Sequence, residues 1–361
     1  MVDNSAPGRG FSLLLGIAGL VVIVAGIRAA APIVVPFLLA AFIAVVCSPP
    51  MFWLRRKGAP AFLAVFAVII GVMVAGLGIG ALIGTSLRDF PAAVPDYQAR
   101  LHGEVTQLRT WLAGLGVTVP DELVTDFLDP GQAMELVARL LAGLGGVLGN
   151  AFFILLTVVF MLFEAVHLPD KLRRMLRDPE TSLRRLAAIT DGVKRYLGIK
   201  TAVSVTTGLV IAVWLVVLGV DYPLLWGLLA FLFNYVPNIG SFIAAVPAVL
   251  LAGIQLGIGP ALLAIAGYVV VNVVVGNVVE PRFMGRGVGL STLVVFLSLV
   301  FWGWVLGPVG MLLSVPLTMV AKIVLESWES MRPIAVLLGA ELPVPTTLEE
   351  DAEKSLDEMP G

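Results

Sequence analysis

Charged residues are scarce in this chain of 361 residues: they make up 13% of it, whereas typical soluble domains carry about 25%. Long stretches contain none at all, among them Phe11–Ile27, Ala59–Gly84, Val147–Phe163, Thr201–Val220 and Ala261–Val279. A helix of about 20 apolar residues crosses a bilayer core of roughly 30 Å. Because 59% of the residues are apolar and the mean hydropathy is +1.00, the sequence predicts an all-α, multi-pass membrane protein.

The sequence also lacks the residues that common enzyme chemistries need. Its single cysteine, Cys47, lies in an apolar run, which excludes an intramolecular disulfide and fits a buried small side chain. The two histidines, His102 and His167, lie outside the charge-free stretches. Neither a Gly-x-x-x-x-Gly-Lys-Ser/Thr loop nor a His-Glu-x-x-His motif occurs. We therefore predict no catalysis, cofactor, metal site or nucleic-acid partner, and expect any transport to use an ion gradient or the solute's own gradient.

Basic residues between the apolar stretches predict the orientation in the membrane. Arg55, Arg56 and Lys57 follow the second apolar run and place that end, and with it the N-terminus, in the cytoplasm. The first run, Phe11–Ala25, imitates a signal peptide, but the second run, Ile33–Cys47, follows almost at once. A helical hairpin that turns near residues 28–32 is therefore preferred over cleavage.

The long charged segments differ in composition. Residues 85–140 hold four basic and eight acidic residues, which fits an external location. Apolar residues recur every three or four positions from Val94 to Leu115 and predict an amphipathic helix, which either packs on its own subdomain or contacts another subunit. Residues 164–200 hold nine basic and five acidic residues, which fits a cytoplasmic face, solvated or against anionic lipid headgroups. The acidic tail, residues 341–361, is predicted to be disordered and cytoplasmic.

Two apolar segments are interrupted. Residues 222–254 are too many for one ordinary span and carry Pro237-Asn238-Ile239-Gly240 near their middle, while residues 292–325 carry Gly307-Pro308-Val309-Gly310. Proline removes an amide donor, and glycine frees the backbone. Such a break persists in hydrocarbon only where protein or a water-filled cavity surrounds it. Paired short, interrupted segments are therefore the best sequence indication of a transporter's binding site.

Two arrangements of these segments are open. With two re-entrant hairpins and six full spans, the helix near residues 260–279 runs from outside to inside, and Arg282 and Arg286 fall in the cytoplasm as the charge rule expects. With eight broken or tilted crossings, both arginines fall outside. We prefer the hairpins. Kinked packing helices without any site are the third interpretation.

The candidate solute-binding residues cluster at and between the two breaks. We expect hydrogen-bonding side chains, glycines that admit close backbone approach, and prolines that set the breaks: Asn234, Asn238, Ser241, Asn272 and Asn277; Gly240, Gly307 and Gly310; Pro237 and Pro308. Glu280 is the ion-coupling candidate, or else it forms a structural salt bridge, for which Arg282 is the nearest partner in sequence. Ser204, Thr206 and Thr207 are expected to bond their own helix backbone.

Three parts of the sequence carry a family resemblance: Pro32–Pro49; Tyr222–Gly227 with Asn234–Gly240 and Val246–Ala248; and Asn277–Gly285 with Gly303–Thr318. Together they resemble the AI-2E family of transporters, also called PerM-type permeases. The resemblance implies a bacterial cytoplasmic-membrane protein with about eight membrane segments and a pentameric assembly. It also implies export of the signal autoinducer-2, or sodium–proton antiport, because members differ in substrate.

The sequence thus predicts six regions: membrane helices 1–84, an external helical segment 85–140, a membrane helix 141–165, a basic cytoplasmic segment 166–200, a transport core 201–326 with broken segments 222–254 and 292–325, and an acidic tail 327–361. The leading functional hypothesis is a secondary transporter that exports a small polar organic solute. A cation–proton antiporter using Glu280 is the alternative. A membrane scaffold that does not transport, and binds through its external helices, is the third.

Overall fold

The computed structural model describes residues 9–114, 150–175, 179–237, 239–284, 289–326 and 331–339. These residues form helices joined by short turns, and no β-strand occurs among them, which confirms the predicted all-helical class. In chain order the helices are α1 (Arg9–Ala29), α2 (Ala31–Arg56), α3 (Ala61–Gly114), α4 (Ala151–Met175), α5 (Pro179–Leu218), α6 (Pro223–Phe233), α7 (Gly240–Leu256), α8 (Ile258–Val274, continued by a π-helical turn Val275–Val279), α9 (Glu280–Met284), α10 (Thr292–Leu306), α11 (Pro308–Leu312), α12 (Ser314–Glu326) and α13 (Arg332–Leu337).

Four helical stretches among the described residues are long and apolar enough to cross a membrane: Ala31–Arg56, Ala61–Phe90, Asp191–Leu218 and Ile258–Val279. Shorter apolar helices accompany them, at Leu14–Ala29, Ala151–Ala165, Pro223–Phe233, Gly240–Leu256 and Thr292–Leu306. Large apolar side chains also point outward along several helices. Val22 is 70% exposed, Leu77 70% and Phe152 72%. A surface this apolar marks an interaction with lipid or protein rather than water.

Helix α3 connects two of the clusters into which the buried core is divided. One cluster packs α2, the first half of α3 and α4 around Met51, Val65 and Val158, all wholly buried. A second packs α5, α6, α7 and α8 around Trp226 and Leu251, and the second half of α3 joins it. The 54-residue helix α3 therefore runs from one cluster to the other and continues past the span that ends at Phe90.

The first interrupted segment folds back on itself. Helices α6 and α7 contact each other, and the backbone N–H of Asp221, just before α6, donates to Oε1 of Gln255, in the last turn of α7, at 2.9 Å. The start of α6 and the end of α7, which we call the outer ends of the hairpin, therefore lie side by side. We call residues 223–256 the first hairpin, and residues 234–239 the first break.

The first break begins earlier than the sequence motif suggested. We expected two pieces of about 15 residues divided at Pro237, but α6 ends at Phe233 after 11 residues and α7 has 17. The reason is that Pro237 has no N–H to give to the carbonyl of residue 233 and its ring clashes with that carbonyl. The Phe233 carbonyl instead accepts from Val236 N at 2.9 Å, in a tight turn.

The second interrupted segment is also a hairpin. Gly307, with φ of +69°, ends α10, and Pro308 begins the short helix α11. Helices α10 and α12 contact each other, and Trp302 Nε1 donates to Thr318 Oγ1 at 3.0 Å. At the other end Lys322 Nζ donates to the carbonyl of Gly289 at 2.6 Å. We call residues 292–326 the second hairpin, and residues 307–313 the second break.

Close backbone packing at the first break makes a stability prediction. A methyl group at Gly240 would overlap the carbonyl oxygen of Phe233, whereas one at Gly253, later in the same helix, would lie 3.5 Å from Ala261 Cβ, an ordinary contact. We expect Gly240→Ala to destabilise the purified protein by about 1–3 kcal/mol. Gly253→Ala, the matched control, should change stability by less than about 1 kcal/mol. Thermal unfolding in detergent measures both, and equal midpoints for the two variants would contradict the packing described.

Candidate functional site

The first break is held against α5 by side-chain hydrogen bonds. The Asn234 amide Nδ2 donates to Ser204 Oγ at 2.9 Å, and both side chains are buried. The Tyr235 hydroxyl donates to Thr201 Oγ1 at 2.7 Å, and Thr201 Oγ1 donates to its own helix at Leu197 O. These bonds fix the break to one stretch of α5, residues 201–204.

This stretch lies deep in the bundle. Ser204 precedes Leu218, the last residue of α5, by 14 positions, which corresponds to about 21 Å at 1.5 Å per residue. A bilayer core is roughly 30 Å thick. The ring of Tyr235 is enclosed by aromatic neighbours, with Phe42 of α2 at 5.3 Å and Phe231 of α6 at 5.7 Å between ring centroids. The polar side chains of Asn234 and Tyr235 are thus surrounded by protein.

A charged pair lies one helical turn before Ser204 in α5. Lys200 Nζ contacts Glu280 Oε1 at 2.7 Å, and the side chains are 5% and 22% exposed. Glu280 follows the π-helical turn Val275–Val279 directly. Single π-turns inside α-helices occur frequently at functional sites because they alter the normal backbone pairing. The pair ties the end of α8 to α5, below the first break.

Two contacts set the register of α8 against α5. Trp214 Nε1 donates to the Leu263 carbonyl at 3.0 Å, and Lys200 meets Glu280. Halfway between these contacts lie Thr207 on α5 and Asn272 on α8. Asn272, which is half-buried, is therefore at a depth within about one helical turn of the Asn234–Ser204 bond. Asn277 lies within the π-helical turn and is exposed.

The remaining candidates lie at the two breaks. Pro237 and Ser241 are half-buried, and Gly240 is buried against Phe233. Asn238 lies outside the described residues. In the second break Pro308 is exposed and Gly307 half-buried. Gly310 is buried, and a methyl group there would overlap the Trp302 carbonyl.

Contacts of the second break lead to the N-terminal helices. The guanidinium of Arg28, at the end of α1, lies 4.4 Å from the centroid of the Trp304 ring in α10. Helix α11 contacts α2. Within the described part of the chain, no hydrogen bond or ring contact joins the first break to the second. The structure therefore joins Asn234 and Tyr235 of the first break to α5, and joins α11 of the second break to α2.

Sequence reasoning missed the contacts that Lys200, Thr201 and Ser204 make in this arrangement. Lys200 was assigned to the end of the cytoplasmic segment; α5 continues without interruption from Pro179 to Leu218, and Lys200 lies within its apolar stretch Asp191–Leu218. Glu280 pairs with Lys200 and not with Arg282, which is exposed. Thr206 and Thr207 bond their own helix as expected, but Ser204 accepts from Asn234, and Thr201 accepts from Tyr235. The available signal was the position of Lys200 and Thr201 at the edge of a charge-free run.

Long apolar helices, an apolar exterior and two interrupted hairpins define a multi-pass helical membrane protein. Residues 17–330 match the family described as AI-2E family transporter, and the chain belongs to that family. It is 44% identical to the AI-2 transport protein TqsA of Escherichia coli K12 over 331 residues, which cover 92% of this chain and 96% of TqsA. It is 40% identical to the putative transport protein YhhT of the same organism over 343 residues, covering 95% and 98%. A putative transport protein of Haemophilus influenzae is 42% identical over 336 residues, covering 90% and 95%.

The buried pair makes a testable prediction. Glu280→Met leaves the Lys200 ammonium without its counter-charge, and removing one partner of a buried pair costs about 3–5 kcal/mol. Lys200→Met should cost less, because Glu280 retains 22% exposure. The double variant Lys200→Met/Glu280→Met should be more stable than Glu280→Met alone, because no charge remains unpaired. Thermal unfolding in detergent tests this order, and strictly additive losses would contradict the pairing.

Proposed function

We propose that this protein is a secondary transporter that exports a small polar organic solute, of the autoinducer-2 type, across the bacterial cytoplasmic membrane. The observation that carries the proposal is the first break: it lies against α5 about 21 Å from the end of that helix at Leu218, and the side chains of Asn234 and Tyr235 are paired and enclosed by protein. A break at this depth can present polar side chains and half-helix ends to a solute without exposing them to lipid.

The preferred topology has two re-entrant hairpins and six full spans, with both termini in the cytoplasm. The Asp221–Gln255 bond favours this topology for the first hairpin, because the start of α6 and the end of α7 lie at one level. The Lys322–Gly289 bond favours it for the second in the same way. Helix α8 then runs inward, so that Glu280 and Arg282 lie toward the cytoplasm as the charge rule expects.

The class of solute follows from the groups at the first break. The half-buried Ser241 hydroxyl, the Asn272 amide at a similar depth and the amides of Asn234 and Asn238 both donate and accept hydrogen bonds, which suits a neutral polyhydroxylated molecule. The name of TqsA, an AI-2 transport protein, agrees with this class. The homopentameric assembly that the family resemblance implies is part of the proposal, and the exposed apolar faces of α1, α3 and α4 provide surface for lipid and for neighbouring copies.

One observation favours a second candidate, a cation–proton antiporter. Glu280 is only partly exposed and pairs with Lys200, so a proton or cation arriving at the carboxylate would compete with the lysine. Such a carboxylate in a membrane protein is a functional candidate by default. In this case Glu280→Gln should remove the dependence of flux on a pH gradient and leave passive solute flux in place. Parent flux that does not respond to a pH gradient would contradict antiport.

Autoinducer-2 efflux from proteoliposomes tests the leading proposal. Asn272→Leu removes both donor and acceptor at the level of the first break, and we expect the flux to fall at least about tenfold, since one or two hydrogen bonds to the solute are lost. Thr206→Val is the control, because the exposed Thr206 hydroxyl bonds only its own helix at Ala202. Equal flux in parent and Asn272→Leu would refute the site. No flux from parent protein of intact fold would support a scaffold.

A further inference from the structure

A cluster of polar residues at the outer ends of the first hairpin takes no part in the proposed solute site. Asp221, between α5 and α6, lies at its centre and uses three different groups. Its N–H donates to Gln255 Oε1 at 2.9 Å, its carbonyl accepts from Trp226 Nε1 at 2.8 Å, and its Oδ2 accepts from the Tyr97 hydroxyl at 2.7 Å. One residue thereby joins the start of α6, the end of α7 and the extended part of α3.

A second connection from α3 runs parallel to the first. Arg100, one turn after Tyr97, donates from a guanidinium nitrogen to the backbone carbonyl of Gln255 at 3.1 Å. Gln255 in turn donates through Nε2 to the carbonyl of Gly219 at 3.3 Å. A cation at the last carbonyls of α7 is also favoured by the helix dipole. Helix α3 thus reaches both ends of the first hairpin, through Tyr97 at Asp221 and through Arg100 at Gln255.

Apolar packing places the hydrogen-bonded side chain of Tyr97. Phe90 and Tyr97 are buried, at 3% and 4% exposure. The ring of Phe90 lies 6.4 Å from that of Tyr97 and 6.0 Å from that of Tyr222, between centroids. Burial, followed by the hydrogen bond to Asp221, raises the pKa of the Tyr97 phenol. The hydroxyl therefore keeps its proton and remains a donor.

The backbone at this junction is strained. Tyr222 has φ of +57° and is the one non-glycine residue with a positive φ among the described residues. Gly219 and Gly257, at the neighbouring turns, have φ of +78° and +88°. A bulky residue in the left-handed region costs of order 1–3 kcal/mol and persists only where its surroundings hold it. Here the surroundings are the contacts with Phe90 and the bonds of Asp221.

We propose that the extension of α3 beyond Phe90 is a positioning arm: through Tyr97 and Arg100 it holds the outer ends of the first hairpin together and so fixes where the first break lies against α5. Tyr97, Arg100, Asp221 and Gln255 are positioning residues, which act on the solute site through α6 and α7. The inference goes beyond the proposed function because it needs no particular solute.

Amide hydrogen exchange of the full-length protein in lipid nanodiscs tests the arm without any transport assay. Tyr97→Phe keeps the ring and removes only the hydroxyl. We expect exchange in residues 221–226 and 250–256 to become at least about tenfold faster, because a hydrogen bond to a charged group is lost. Tyr268→Phe is the matched control: it is the same change in the same core cluster, but the buried Tyr268 hydroxyl has no hydrogen-bond partner among the described residues. It should leave exchange unchanged.

Asp221→Ala completes the comparison, since it removes the carboxylate and keeps the backbone bonds to Gln255 and Trp226. If Tyr97 and Asp221 act as one unit, the double variant Tyr97→Phe/Asp221→Ala exchanges no faster than Asp221→Ala alone. Unchanged exchange in Tyr97→Phe, additive effects in the double variant, or an equal effect of Tyr268→Phe would each overturn the proposal.

Autoinducer-2 efflux tests whether the positioning arm affects transport. The maximal rate of Tyr97→Phe should fall several-fold with KM unchanged, because the hairpin is misplaced while the solute-binding groups remain. An altered exchange pattern with a normal maximal rate would overturn the positioning role. If the parent shows no efflux of this probe, the proposed function fails, while the exchange measurements still decide whether the arm holds the hairpin.

Discussion

A helix that stops inside an apolar environment must find new partners for the backbone groups it releases, and the rest of this structure depends on how that requirement is met. At the first break Pro237 has no N–H to donate to the Phe233 carbonyl, and the N–H of Val236 donates to that carbonyl instead, in a tight turn. The turn takes Asn234 and Tyr235 out of α6. Their side chains then donate hydrogen bonds to Ser204 and Thr201. The interruption is stable because it is packed and paired, and those same polar groups give it a chemistry that an unbroken helix lacks.

Helix α5 supplies most of the partners. Within a few turns it presents Lys200 to Glu280, Thr201 to Tyr235, Ser204 to Asn234 and Trp214 to the backbone of α8. A single continuous helix therefore aligns the first hairpin with α8, and so brings Asn272 to nearly the same depth as Asn234. At the opposite end of the hairpin, α3 makes the corresponding attachment through Tyr97 and Arg100. The first hairpin is thus held at its tip by one helix and at its ends by another.

Local sequence was sufficient for some of this and not for the rest. Charge-free runs identified the membrane class and the helical fold, and Pro237, Gly307 and Pro308 identified both interruptions, because proline and glycine act on their own backbone. Local pattern does not encode which residue lies opposite which. The Lys200–Glu280 pair joins residues 80 positions apart, and the Tyr97–Asp221 bond joins residues 124 apart. Both follow from the packing of α5 and α3, and for that reason Arg282, close in sequence, was the wrong expected partner for Glu280.

The most direct measurement is the side of the membrane reached by each end of the first hairpin. In a Cys47→Ala background, single cysteines replace Leu224, at the start of α6, and Leu256, at the end of α7, which are both exposed. An impermeant maleimide is then applied to intact cells and to inverted vesicles. If the hairpin enters and leaves on one face with its break shielded inside, both cysteines are labelled from the same side, the outer one. Labelling of the two cysteines from opposite sides would mean that the segment crosses the membrane, and would contradict the account.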